Sequence, residues 1–127
     1  MKILIVDDSS VIRKMIKVVA DVLQMETEEA QDGIEALETL SKFHKEIDLV
    51  LMDWNMPEMN GYDVLIEMKS NDKYKDIPVM MVTTEGQKSN IVAAVRAGAA
   101  NYLTKPFTVE ELETKIIECI GQEGDFQ

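Results

Sequence analysis

Three uninterrupted apolar runs predict buried β-strands, at residues 3–6 (ILIV), 49–52 (LVLM) and 79–82 (VMMV). Short runs without polar alternation are typical of strands that are covered on both faces, as in a parallel sheet. A weaker run at 101–104 (NYLT) predicts a further strand. The segment METEEA at 25–30 is too polar to be buried on both sides, so it forms a strand only at a sheet edge.

Two segments between or after these runs carry apolar residues at the intervals of an amphipathic helix. The first stripe consists of Ile12, Met15 or Ile16, Val19, and Val22 or Leu23, and the second of Val109, Leu112, Ile116 and Ile120. The stripes predict one helix that begins near Ser9 and another near 108–120.

Helix start signals support further helices. Asp32 precedes Glu35 by three residues, the spacing at which an N-cap side chain and a carboxylate satisfy free backbone amides. Thr108 and Glu111 have the same spacing. Weaker start signals, at Asn60-Gly61 and at 84–87, predict helices near 61–70 and 86–97.

Strand and helix thus alternate five times, which predicts a doubly wound α/β sandwich with right-handed crossovers. The chain has 127 residues, 46% of them hydrophobic, enough for one domain with a substantial core. No internal repeat or low-complexity linker divides it.

Polar residues follow the apolar runs at the points where four of the predicted strands end. They are Asp7-Asp8, Asp53, Thr83-Thr84 and Lys105-Pro106. Ligands of open parallel sheets bind beyond the carboxyl ends of the strands, so we expect these side chains to converge in one crevice. Taken singly, each has a structural explanation: the aspartates could cap a helix or stabilise a turn, and Lys105-Pro106 could simply end a strand.

Crowded carboxylates repel one another unless a cation neutralises them. A site of oxygen ligands without nearby histidine or cysteine suits a hard divalent ion, above all Mg²⁺. Lys105 adds a positive charge and Thr83 a hydroxyl, so the crevice is suited to a phosphoryl group. Asp53 is then the candidate nucleophile, because an aspartate carboxylate can attack phosphorus to form an aspartyl-phosphate.

The segments LIVDDSSVIRK, VLMDWNMPEMNGYDVL, PVMMVTTE and AGAANYLTKPF, with their spacing, resemble the receiver domains of two-component response regulators, in particular the CheY-like chemotaxis type. The resemblance extends from about Lys2 to Ile120. It implies a flavodoxin-like parallel sheet of five strands in the order 2-1-3-4-5 with five helices, and places 25–30 at an edge. We expect a receiver at 1–121 and a short C-terminal tail at 122–127, with no DNA-binding output domain after it.

The resemblance assigns roles to the residues at the strand ends. Asp53 corresponds to the phosphorylated aspartate. The Mg²⁺ ligands would be the side chains of Asp7, Asp8 and Asp53 and the backbone carbonyl of Asn55. Thr83 and Lys105 would contact the phosphoryl group, Thr83 and Tyr102 would form the switch, and the Lys105-Pro106 peptide would be cis.

Three residues are implied to tune dephosphorylation: Asn55, Thr84 and Glu85. Many CheY-like members carry alanine at the position of Thr84, and we hypothesise that its extra bulk hinders the attacking water. Trp54, next to Asp53, is expected to report metal and phosphate binding by its fluorescence. His44 and Cys119 are expected to be a surface residue and a core residue, respectively.

The chain carries 24 acidic and 13 basic residues, a net charge of -11. This charge repels nucleic acid and anionic membranes and favours basic protein surfaces. Neither a signal peptide nor a membrane-spanning run is present, and the single cysteine excludes an internal disulfide. We expect a cytoplasmic monomer.

The implied partners are a CheA-like histidine kinase as phosphodonor and a flagellar motor switch protein or other effector, bound through residues 86–120. A dedicated phosphatase is left open. The protein would be a signalling switch that catalyses only its own phosphorylation and dephosphorylation. A stand-alone receiver that relays phosphate in another pathway is the nearer alternative.

Two other classes share parts of this pattern. A haloacid-dehalogenase-like phosphatase uses a similar strand-end aspartate, but its general acid would stand where this chain has Asn55, which cannot protonate a leaving group. A flavodoxin-like electron carrier would need an amide-donating loop for the flavin phosphate where this chain has Asp7-Asp8.

Overall fold

The computed structural model describes residues 1–121. Its strands are β1 (Lys2–Val6), β2 (Glu26–Ala30), β3 (Leu49–Met52), β4 (Val79–Thr83) and β5 (Asn101–Thr104). Its helices are α1 (Ser10–Val22), α2 (Gly33–Phe43), α3 (Gly61–Lys69), α4 (Lys88–Arg96) and α5 (Val109–Gly121). The predicted tail at 122–127 lies outside the described residues.

The five strands form one parallel sheet in the order β2-β1-β3-β4-β5. The predicted flavodoxin-like fold and strand order are therefore confirmed, and the polar strand β2 lies at an edge. There Glu26 and Glu29 are exposed. An edge strand has one unpaired side, so charged side chains on it cost little and discourage pairing with another chain.

Alternate side chains of the central strands enter two separate cores, because successive residues of a strand point to opposite faces. Leu4 and Val50 pack on one face, in a core that includes residues of α2, α3 and α4. Ile5 and Leu51 pack on the other face, with residues of α1 and α5. Coverage of both faces explains why these strands are apolar throughout.

Most helix starts follow the predicted caps. The Asp32 carboxylate accepts from the amide of Glu35, while Glu35 bonds back to the amide of Gln31. Thr108 and Glu111 form a reciprocal capping box with bonds of 2.8 and 3.1 Å. The Asn60 side chain caps α3. By contrast, α4 begins at Lys88, later than predicted, and the N-cap residue, Gln87, makes no side-chain capping bond.

The apolar stripe predicted for α1 is only partly buried. Ile16 and Val19 are 1% and 2% exposed, whereas Met15 and Val22 are 38% and 66% exposed. Of the alternative positions Met15 or Ile16 and Val22 or Leu23, the more buried residues are Ile16 and Leu23. Helical spacing identifies apolar positions on a helix but does not state which of them a neighbouring element covers. Among the described residues, no helix combines the length and apolar character needed to cross a membrane.

Gly61 brings the start of α3 against the end of β3. A Cβ atom at this position would lie 1.8 Å from the carbonyl oxygen of Asp53, far inside van der Waals contact. The Gly61 amide donates to the carbonyl of Trp54 at 2.8 Å. The absence of a side chain at Gly61 thus allows the loop after Asp53 to close tightly upon it.

Candidate functional site

The strand ends bring two buried carboxylates and one ammonium group together. Asp7 follows β1 and Asp53 follows β3, with exposures of 2% and 7%. Lys105, which follows β5, places its Nζ 2.8 Å from Asp7 Oδ2 and 3.3 Å from Asp53 Oδ2. Thr83, at the end of β4, is fully buried. The structure therefore brings Asp7, Asp53, Thr83 and Lys105 together at one edge of the sheet, as predicted.

The electrostatic balance of this cluster makes Asp53 a weaker acid than usual. Burial and the nearby charge of Asp7 raise the pKa of Asp53, while Lys105 and a hydrogen bond with Thr83 oppose this shift only in part. Burial disfavours the charged form of Lys105, yet the hydrogen bond to Asp7 and the charge of Asp53 raise the pKa of Lys105 overall. The ammonium group thus stays charged between two carboxylates.

One further carboxylate completes a candidate cation site. Oxygen atoms of Asp7, Asp8 and Asp53 all lie within 4.8 Å of one another, and Asp8 is exposed. A set of three carboxylate oxygens, open to solvent on one side, fits the preference of Mg²⁺ for oxygen ligands and retained water. The role of the Asn55 carbonyl as a fourth ligand stays a prediction.

Asp7 and Asp8 do not cap α1, in contrast to one alternative considered above. Ser9 is the N-cap residue and accepts from the amide of Ile12 at 3.3 Å. Asp7 instead accepts from the amide of Ser9 at 2.9 Å, which fixes its carboxylate at the strand end. The side chains of Asp7 and Asp8 therefore belong to the carboxylate cluster with Asp53 and not to the cap of α1.

Glu85 connects the predicted tuning residues to the predicted switch. Its carboxylate accepts from Asn55 Nδ2 at 2.6 Å and from Asn90 Nδ2 at 3.2 Å. Its amide donates to Thr83 Oγ1 at 3.3 Å, and its carbonyl accepts from the hydroxyl of Tyr102. The loop after β3, the loop after β4, α4 and β5 therefore meet at a single residue.

Sequence reasoning missed two residues of this neighbourhood. Asn90 lies in the first turn of α4, and its pairing with Glu85 depends on a loop whose path the sequence pattern does not give. Arg13 donates to the Asp7 carbonyl at 2.7 Å and to Glu29 at 2.9 Å. The signal for Arg13 in the sequence was its position as a polar residue next to the apolar stripe of α1.

The remaining predicted residues lie as follows. Tyr102 is half-buried, and burial together with the charges of Glu85 and Asp53 raises its pKa. Thr84 is exposed. The Lys105-Pro106 peptide is cis.

Three residues discussed in the sequence analysis lie outside the carboxylate cluster. Trp54 stacks on Tyr62, with ring centroids 4.9 Å apart. His44 packs edge-on against Tyr74 at 5.4 Å and is only partly exposed, and Cys119 is fully buried. Cys119 is therefore the core residue that was expected.

Comparison with known proteins agrees with this arrangement. The model of the response regulator receiver domain matches residues 3–117. The chain belongs to the response regulator receiver family. Receivers of this CheY-like type are signalling proteins and not classical enzymes, which argues against the phosphatase and flavodoxin alternatives.

Individual relatives support the family. The chain is 42% identical to a chemotaxis protein CheY homolog of Campylobacter jejuni over 95% of this chain and 93% of that protein. It is 43% identical to chemotaxis protein CheY1 of Helicobacter pylori over 95% and 98% of the two chains. The solved structure of the chemotaxis response regulator CheY4 of Vibrio cholerae superimposes with a TM-score of 0.86 at 34% identity, covering 93% and 97% of the two chains.

The raised pKa of Asp53 predicts how this receiver's stability depends on pH. Because the folded chain binds the Asp53 proton more tightly than the unfolded chain does, this residue lowers the free energy of unfolding as pH rises above about 4. In metal-free buffer at pH 7, Asp53→Asn should be more stable than the wild type by about 1 kcal/mol. Urea denaturation across the pH range measures the difference, which should shrink toward pH 4.

Asp76→Asn is the matched control, since Asp76 is exposed. Its stability should follow that of the wild type at every pH. An Asp53→Asn variant that is less stable than the wild type at pH 7, or whose difference does not change with pH, would contradict the electrostatic account.

Proposed function

We propose that this receiver is a phosphorylation-activated switch that accepts a phosphoryl group on Asp53 from a histidine kinase. The observation that carries the proposal is the position of Asp53, a buried carboxylate with Asp7 and Asp8 beside it and the ammonium of Lys105 within 3.3 Å. A structural ion pair would need neither the third carboxylate nor the open side of the site.

The chemistry follows from these groups. A carboxylate oxygen of Asp53 attacks phosphorus, the bond from phosphorus to the imidazole nitrogen of the donor breaks, and the imidazole leaves with its electron pair. Lys105 and Thr83 orient oxygens of the transferred group. Mg²⁺, held by Asp7, Asp8 and Asp53, would supply positive charge that offsets the crowded anions. In hydrolysis a water oxygen attacks phosphorus, the bond between phosphorus and the Asp53 oxygen breaks, and inorganic phosphate leaves with the carboxylate restored.

Incubation with Mg²⁺ and acetyl phosphate tests the phosphoacceptor. We expect a gain of one phosphoryl group by intact mass and a change in Trp54 fluorescence, because Trp54 follows Asp53 directly. Both should be absent from Asp53→Asn and from samples treated with chelator. Asp76→Asn, with an exposed aspartate, should behave as the wild type does.

Modification that persists in Asp53→Asn would place the phosphoacceptor elsewhere. If the folded wild type binds Mg²⁺ but acquires no phosphoryl group, the claim that Asp53 accepts a phosphoryl group from acetyl phosphate without a kinase would lose its support. In that case only transfer from a kinase would be left as a route.

The contacts of Glu85 suggest how phosphorylation would reach a partner surface. A phosphoryl group on Asp53 adds charge and acceptor oxygens that draw Thr83 and Lys105 toward it. Thr83 accepts from the Glu85 amide, and the Glu85 carbonyl accepts from Tyr102, so movement of Thr83 biases the position of Tyr102. Partners that prefer the new arrangement would bind the phosphorylated form more tightly.

We further propose that Asn55, Thr84 and Glu85 set the lifetime of the phosphorylated form. Thr84 is exposed, and Asn55 and Glu85 are joined at 2.6 Å near the opening of the site. Thr84→Ala should speed dephosphorylation at least about twofold, because the smaller side chain gives water a freer approach. Decay of the phosphorylated mass after removal of the donor measures the rate, with Thr114→Ala, an exposed threonine on α5, as control. An unchanged rate would contradict the proposal.

A chemotaxis role is favoured over a relay in another pathway by the CheY relatives described above. The partners would then be a CheA-like histidine kinase and a flagellar motor switch protein, bound through residues 86–120, with a phosphatase still open. A peptide from a flagellar switch protein should bind more tightly when an acyl-phosphate mimic is present. If the chain is shown to acquire the mimic and the peptide still binds equally well with and without it, the result would favour a relay in another pathway.

A further inference from the structure

Helix α1 carries a second apolar stripe that faces solvent. Val11, Met15, Val18 and Val22 are 66%, 38%, 62% and 66% exposed. They account for four of the eleven large apolar residues exposed in the described part of the chain. Scattered apolar residues on a surface are ordinary, but a contiguous set on one helix marks an interaction surface. We call these four residues the α1 seam.

The spacing of the α1 seam is that of a helix that pairs with another helix. Its intervals of four, three and four residues repeat the alternating core positions of a coiled coil. The residues that face the protein core, including Ile16 and Val19, form a separate stripe on the same helix. The seam is therefore additional to the face that anchors α1 to the sheet.

An apolar groove extends the seam toward the start of α5. It has a volume of about 180 Å³ and is lined by Met15, Val18, Val19, Phe107, Val109 and Leu112. Val109 is itself 50% exposed. Met15 and Val18 lie both in the seam and in the groove, and the flexible side chain of Met15 can adapt to an incoming residue.

We propose that the α1 seam binds the α1 seam of a second copy of this chain, with the two helices antiparallel. In this arrangement Val11 lies opposite Val22 of the second copy, and Met15 lies opposite Val18 of the second copy. Each apolar residue thus meets an apolar residue, and the two-fold symmetry makes the same surface serve on both copies.

The charges beside the seam fit the antiparallel alignment. Lys14 lies beside Met15 and Asp21 beside Val22, both exposed and on the same flank of α1. Neither takes part in an ion pair within residues 1–121. Antiparallel pairing brings Lys14 near Asp21 of the second copy twice, whereas parallel pairing would place these flanks of the two copies on opposite sides of the seam.

The size of the seam and the charge of the chain determine the strength of association. Four side chains on three turns of helix form a small interface, so the dimer is weak and reversible, and the expected monomer is the species present at low concentration. Two copies with a net charge of -11 each repel one another at long range. Exposed ion pairs contribute little, so added salt should strengthen association by screening this repulsion.

Sedimentation of the unphosphorylated, metal-free protein up to millimolar concentration tests the proposal independently of the phosphorylation chemistry. We expect a reversible monomer–dimer equilibrium that shifts toward dimer between about 0.05 and 0.5 M NaCl. Val18→Glu should weaken association at least about tenfold, because it places two charges in the seam. Val22→Glu serves as a second variant, and circular dichroism verifies that both are folded.

Val95→Glu is the matched control, since Val95 is a valine on α4 with a similar exposure of 56%. It should dimerise as the wild type does. Loss of dimer in Val95→Glu but not in Val18→Glu would place the interface on α4 and overturn the proposal. A chain that stays monomeric at every concentration and salt would also overturn it, and would leave the seam to a helix of another protein.

Disulfide trapping tests the alignment. In the double variant Met15→Cys/Val18→Cys, each introduced thiol faces its counterpart in the second copy, so oxidation should link two chains. Val18→Cys alone should stay unlinked, because it faces Met15 of the second copy. The native Cys119 is fully buried and is retained in both variants. Equal linkage of the single variant would overturn the antiparallel arrangement.

Discussion

Lys105 is the group on which the acidic end of the sheet depends. Its ammonium lies 2.8 Å from Asp7 and 3.3 Å from Asp53, and both carboxylates are almost fully buried. Removal of the Lys105 ammonium would leave two buried carboxylates with neither water nor a counterion, a change that typically costs about 3–5 kcal/mol, whereas removal of the Asp53 charge leaves Lys105 paired with Asp7. One cation, Lys105, therefore stabilises two carboxylates whose burial at the end of the core is energetically unfavourable. The raised pKa of Asp53 shows that this compensation is incomplete, as expected where a site is kept ready for a further positive charge.

Glu85 has a corresponding place on the other side of the site. Its carboxylate, amide and carbonyl contact different elements, through Asn55 and Asn90, through Thr83 and through Tyr102. A change at any one of these contacts must be accommodated at the others or break a hydrogen bond. Under the function proposed above, these shared contacts would transmit a movement of Thr83 to Tyr102.

Much of the fold and the site could be predicted from the sequence, because the strands are apolar throughout and stop abruptly at polar residues. Asp7 and Asp53 are visible in the sequence for this reason, and parallel topology brings them together. Interactions between segments were harder to predict. The contact of Asn90 with Glu85 depends on the path of a loop, which no periodicity encodes. The exposure of Met15 and Val22 depends on the width of α1 that the neighbouring elements cover, and an apolar residue looks the same in the sequence whether it is covered or open.

The close approach of Gly61 to Asp53 limits how this loop can diverge during evolution. Any side chain at position 61 would collide with the carbonyl of Asp53. The loop between these two residues therefore has to close with its backbone at position 61 against Asp53. Residues such as Asn55 and Glu58 lie inside this closed segment and are exposed. A substitution of Asn55 leaves the close approach of Gly61 to the Asp53 carbonyl in place, because that contact involves no atom of the Asn55 side chain. If Asn55 sets the lifetime of the phosphorylated form, as proposed above, relatives of this chain could differ in signalling lifetime while the geometry of Asp53 and the start of α3 stays the same.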